Sequence, residues 1–186
     1  MTAKIPTATH QGDLPIPNFP ISCAVLDNQT RILVDRSLST ALGVKGGGAY
    51  WQKKRSANSG ALLPEYISAK YLQKFIPEDV RIKLSNPITY ITKSGKESEG
   101  IPAEYLLDIC DIWINAAENG ALKNEQLKIA KNAQNLIRGF ATVGIIALVD
   151  EATGFQDSRT KDALAKILEE FLLKENKPYI GAFPTE

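Results

Sequence analysis

Residues 139–159 read GFATVGIIALVDEATGFQDSR, and the way their first half is packed decides the architecture. From Gly139 to Val149 there is one hydroxyl, Thr142, and no charge; Asp150 and Glu151 then follow without a spacer. The apolar run is too short for the roughly 20 residues of a membrane span. Apolar on every side, it predicts a central buried helix, with Gly139 and Gly144 admitting close neighbours. Its carbonyl end is then an awkward place for two acids, because the helix dipole repels negative charge there by about 0.3–1 kcal/mol per group.

Compensation is near at hand. Gly154 can turn the chain, and a following helix, expected over 158–174 with Asp157 or Ser158 as its cap, carries Arg159 and Lys161 in its first turn. Running back antiparallel, it would bring those cations and its free amides to the acids. The charges after Val149 are therefore expected to brace the corner between two packed helices. A competing reading takes Asp150, Glu151 and Asp157 as oxygen ligands for a hard cation.

Helical periodicity extends upstream. Residues 102–120 place Leu106, Ile109, Cys110, Trp113 and Ala117 on one stripe, closed by Gly120, and a helix from about Lys123 carries Leu127, Ala130, Ala133, Leu136 and Ile137 into the apolar run. Gln134, Asn135 and Arg138 are expected on its exposed side.

The first hundred residues are built differently. Pro6, Pro15, Pro17 and Pro20 make 1–20 an extended arm at most. ISCAVLDNQTRILV, 21–34, reads as a strand, a turn at Asp27-Asn28-Gln29 and a second strand. Asp35 is placed to cap a short helix through Leu42, with Leu38, Ala41 and Leu42 inward and Gly43 as its left-handed stop. Short helical pieces open at Pro64-Glu65 and Pro77-Glu78. ITYITKSGKESEGI, 88–101, gives a second hairpin turning at Ser94-Gly95, expected at a sheet edge. The expected fold is α+β: two small β-hairpins and short helices packed on a C-terminal three-helix unit. The organisation is an arm (1–20), a basic mixed part (21–101) and a helical part (102–186) around one shared core.

Composition narrows the chemistry. The 186 residues are 44% hydrophobic and 23% charged, as in ordinary folded domains. A single histidine, His10, leaves no set of imidazoles for a metal and only one partner for a nucleophile. Cys23 and Cys110 sit among apolar residues and read as small core hydrophobes. No basic-then-apolar leader opens the chain, which implies a cytoplasmic protein outside the membrane. Residues 1–100 hold 13 Lys+Arg against 8 Asp+Glu, whereas 101–186 hold 9 against 13, so the first half suits an anionic partner.

That positive charge concentrates in VKGGGAYWQKKRSANSG, 44–60, where three glycines make a regular element costly. Lys45, Lys53, Lys54 and Arg55 alternate with Tyr50 and Trp51; cations of this kind neutralise phosphates while aromatic rings stack on bases. With Arg31 and Arg36 nearby in sequence, they form the candidate nucleic-acid contacts.

The segment 144–184, with its core LVDEATGFQDSR, resembles the P-sixty-three-C domain of bacteriophage and prophage proteins. Asp150, Glu151, Thr153, Gly154, Gln156 and Arg159 match that signature, and Phe155 stands where Tyr is commoner. Family members usually continue past the Phe-Pro at 183–184. RILVDRSLSTALG, 31–43, is loosely similar to the opening of the KilA-N and Bro-N modules of phage antirepressors. The resemblance implies phage ancestry and a nucleic-acid role, and it assigns no chemistry to the signature residues. The resulting expectation is a non-enzymatic, DNA-binding regulator of antirepressor type, without a catalytic site, metal or cofactor, that forms a homo-oligomer or binds a protein partner. The alternatives are an interaction or oligomerisation module with no affinity for nucleic acid, and a carboxylate-dependent metalloenzyme at the DEATG segment.

Overall fold

The computed structural model describes residues 4–17, 20–44 and 63–175. Five strands, β1 (Ala8–Leu14), β2 (Ile21–Leu26), β3 (Arg31–Val34), β4 (Ile88–Ile91) and β5 (Glu97–Pro102), form one antiparallel sheet in the order β1-β2-β3-β5-β4. The α+β class and both hairpins are as the sequence implies. Gln29 supplies the positive φ of the first turn, at 66°, and Gly95 that of the second, at 81°. The hairpins do not stand apart: β3 pairs with β5, placing Leu33 opposite Ile101 and Val34 opposite Gly100. Gly100 is needed there, since a Cβ would lie 2.7 Å from the Leu33 carbonyl oxygen.

The N-terminal segment is more than an arm. Residues 8–14 pair with β2 as an edge strand bracketed by Pro6 and Pro15, and an edge strand requires no apolar alternation, so Gln11, Gly12 and Asp13 stay exposed. The chain just before it reaches the opposite edge of the sheet. Thr7 bridges Ile91, and the Ile91 N–H donates to the Pro6 carbonyl at 2.9 Å. The curled sheet encloses a small apolar cluster of Ala8, Ala24, Leu26, Ile32 and Tyr90.

The other face of the sheet carries the main core. Helix α1 (Asp35–Leu42) buries Leu38, Ala41 and Leu42 and stops at Gly43 with φ 82°, as its spacing predicts. Asp35 does not cap it. Val34 occupies that position, while the buried Asp35 carboxylate accepts from the Tyr66 hydroxyl at 2.9 Å. Two 3-10 turns (Glu65–Ile67 and Lys70–Phe75) and helix α2 (Glu78–Leu84) lead into β4. Helix α3 (Tyr105–Glu118) then buries Leu106, Ile109, Cys110 and Trp113, and the Trp113 indole donates to the Tyr66 carbonyl at 2.9 Å.

Helix α4 runs unbroken from Asn124 to Thr153, 30 residues, so the apolar run is its second half rather than a separate element. Its first half packs on α3 through Ala130, Ala133 and Leu136, and Asn135 is buried here too, contrary to its expected exposure. Helix α5 (Ala163–Glu175) begins later than 158; Arg159 and Lys161 precede it, and Asp157 lies in a 3-10 turn (Phe155–Asp157) instead of capping it. It returns along α4 with Leu168, Phe171 and Leu172 against Gly139, where a Cβ would lie 2.9 Å from Leu168 Cδ1. One apolar cluster unites Ile21, Leu33, Trp113, Leu136 and Leu172, joining sheet and helices in a single core.

Candidate interaction surface at the helical hairpin

The second half of α4 and the returning α5 form a hairpin held by three local devices. Asp150 and Arg159 meet at 2.7 Å, both side chains largely buried. The Thr153 hydroxyl donates back to the Val149 carbonyl, one turn earlier, at 2.8 Å. Gly154 takes φ 73° and sends its N–H back to the Glu151 carbonyl. Asp150, Thr153, Gly154 and Arg159 thus hold the corner. Glu151 and Gln156 are exposed, and Glu151 makes no ion pair among the described residues. Nor does Lys161 contribute to the brace. The alternative of a cation site finds no support in the geometry: Asp150 is held by Arg159, and among the described residues no three His, Cys, Asp or Glu side chains gather where an ion could be held.

The apolar run departs most from the sequence-based expectation. Among the described residues only one side of it is covered. Gly139 is buried against α5, and Phe140 and Val143 pack partly on the main core. Ile145 is 64% exposed, Leu148 66%, Val149 55% and Phe155 57%. With Ala141 and Ala152, also exposed, Ile145 and Leu148 recur at spacings of four, three and four residues. That is the 3.5-residue period of a helix seam built to receive another helix, and Asp150 lies on the opposite side of α4. Gly144 is open, with nothing within 4 Å of a Cβ built on it. Arg138 stands exposed at the lower end of the stripe, and Glu151 and Asp157 at the upper end, none with an ion pair among the described residues. The sequence signal for this surface was the same spacing, hidden because every other position in the run except Thr142 is apolar as well.

The candidate nucleic-acid contacts are divided. Lys45, Tyr50, Trp51, Lys53, Lys54 and Arg55 lie outside the described residues. Arg31 is exposed at the start of β3, where its guanidinium donates to the Gln29 carbonyl at 3.0 Å. Arg36 is exposed on the first turn of α1. A shallow apolar depression of about 260 Å³ lies beside Arg31 on the sheet, lined by His10, Gly12, Cys23, Val25 and Leu33. Burial, and secondarily the charge of Asp13, push the Cys23 thiol above its ordinary pKa, the wrong direction for a nucleophile.

No family model matches the chain, and no curated protein or solved structure matches it. Among the described residues no helix is long and apolar enough to cross a membrane.

Proposed function

We propose that this protein is a non-enzymatic interaction module that assembles through its helical hairpin. The observation that supports this reading is the uncovered stripe Ala141-Ile145-Leu148-Ala152 with Val149 and Phe155 beside it. With large side chains offering roughly 200 Å² each, the four exposed ones leave on the order of 500 Å² of apolar surface in water, the upper range for a single patch on a lone domain. A helix so placed is stabilised by covering it: at about 25 cal/mol per Å² the gain is some 10 kcal/mol before the cost of association. Light scattering beside a gel shift tests the reading. The expected result is a mass above the 20.4 kDa of one chain and no retention of random duplex. A monomeric mass together with retained duplex would reject it.

The second reading is a phage-derived regulator that binds DNA through 45–55 with Arg31 and Arg36. It is favoured by the four cations and two aromatic rings of that segment and by the likeness of 144–184 to the P-sixty-three-C domain. If those four cations meet duplex phosphates, log K falls against log salt with a slope of about −3 to −4. Binding unaltered in a Lys53→Ala, Lys54→Ala, Arg55→Ala chain would dismiss it.

A further inference from the structure

The interaction reading leaves open what covers the stripe, and the inference here rests on that reading. We propose that the occupant is the same stripe of a second copy, laid antiparallel about a two-fold axis between Ile145 and Leu148.

Three observations point to this occupant. The seam complements itself when one copy is reversed. With the axis at that midpoint, Ile145 of each copy meets Leu148 of its partner and Ala141 meets Ala152, so each layer matches large with large and small with small. The exposed glycine at 144 flanks the central layer and lets the two backbones approach.

Charge selects the direction. At 1.5 Å per residue Arg138 lies about 13 Å from the midpoint on one side, and the helix end at Thr153, just before Phe155, about 10 Å on the other. Reversal therefore brings each Arg138 to the partner's corner, beside Phe155, Glu151 and Asp157, and neither Arg138 nor these two acids has an ion pair among the described residues. A parallel arrangement would stack Arg138 on Arg138 and Glu151 on Glu151, and align two helix dipoles.

Area agrees with a dimer of moderate affinity. The large side chains give on the order of 500 Å² per copy, and Ala141, Gly144, Ala152 and the Arg138 stem bring this towards the roughly 800 Å² per partner of a standard interface. The fold does not hinder the approach. On α4 the opposite side, with Gly139 and Asp150, is already occupied by α5 and Arg159, while among the described residues nothing covers the outer side as far down as Arg138.

Sedimentation equilibrium on the full chain at low salt tests this with four variants. Leu148→Asp changes a residue that is largely in water, so the fold is retained by circular dichroism while self-association weakens by more than about 100-fold. Arg138→Glu and Glu151→Arg, alone, each place like charges together twice per dimer and weaken association about 5- to 50-fold. The double reversal Arg138→Glu with Glu151→Arg re-pairs them and returns to within about threefold of the parent. Rescue by the double reversal is the readout that a general loss of structure cannot imitate. An assembly larger than a dimer, or one indifferent to the single reversals, overturns the antiparallel pairing and leaves the interaction reading intact. A chain that stays monomeric, with Leu148→Asp lowering its thermal stability, assigns the stripe to the chain's own residues beyond Glu175 and overturns the second copy as occupant.

Discussion

The Arg159 guanidinium donates to the Asp150 carboxylate across 2.7 Å, closing the loop between α4 and α5 from a position outside either helix's regular turns. Asp150 points inward from the end of a helix whose dipole disfavours it, and Arg159 is what makes that tolerable. Removing the cation should therefore cost more than removing the acid. Arg159→Ala leaves a mostly buried charge unmatched and should lower the unfolding free energy by about 2–4 kcal/mol, against about 1 kcal/mol for Asp150→Asn. Urea unfolding of the two variants measures the difference, and equal losses would show that the pair does not act as a charge brace.

The two glycines of the apolar run should respond in opposite ways to added bulk. At Gly144 nothing lies within 4 Å of a new methyl, so Gly144→Ala gains helix propensity alone and should raise stability by about 0.5–1 kcal/mol. At Gly139 the same methyl meets Leu168 Cδ1 at 2.9 Å and Phe171 at 3.2 Å, and Gly139→Val should lose about 1–3 kcal/mol by forcing α5 off α4. Chemical denaturation well below the association range separates these effects from assembly.

Joining the hairpins depends on one bare backbone. A side chain at Gly100 would press on the Leu33 carbonyl at 2.7 Å, a backbone atom that cannot rotate away. Gly100→Ala should cost about 2–3 kcal/mol and selectively raise hydrogen exchange at Leu33 and Ile101. A variant as stable as the parent would mean that β3 and β5 are less firmly paired than the register implies.

Burial pushes the Cys110 thiol up to about 12, whereas in the unfolded chain it stays near 9. Between those values the unfolded state loses a proton that the folded state keeps, so the unfolded state is favoured as pH rises. The contribution of this thiol is intact below pH 9 and lost at about 1.4 kcal/mol per pH unit through the window up to about 12. Cys110→Ala should flatten that slope in a stability-versus-pH series. At pH 8 a maleimide should leave Cys110 unmodified in the native protein and modify it in urea.

Much of the fold was legible because its signals are local. Gly43 and Gly95 adopt the left-handed conformations their positions announce, and Leu38, Ala41 and Leu42 face inward because a helix of that spacing has one apolar side. The brace at Asp150 was legible for the same reason: an acid at a helix C-terminus calls for a cation a few residues away. The failures are non-local. β1 is polar and exists only because β2 offers it a ladder. Asp35 looks like a cap, but Tyr66, 31 residues away, claims its carboxylate.

By itself the sequence determined the two hairpins, the stops at Gly43 and Gly120 and the inward stripes of the first helices, since these follow from spacing and turn chemistry within a few residues. Only the tertiary structure decided that β3 and β5 fuse the hairpins into one sheet, and that the run 139–149 is covered on one side while Ile145 and Leu148 face outward. An apolar segment lowers its free energy by leaving water, whatever covers it. Composition records that requirement equally for a core and for an interface, and the packing of α5 against Gly139 shows which half of it the described residues meet.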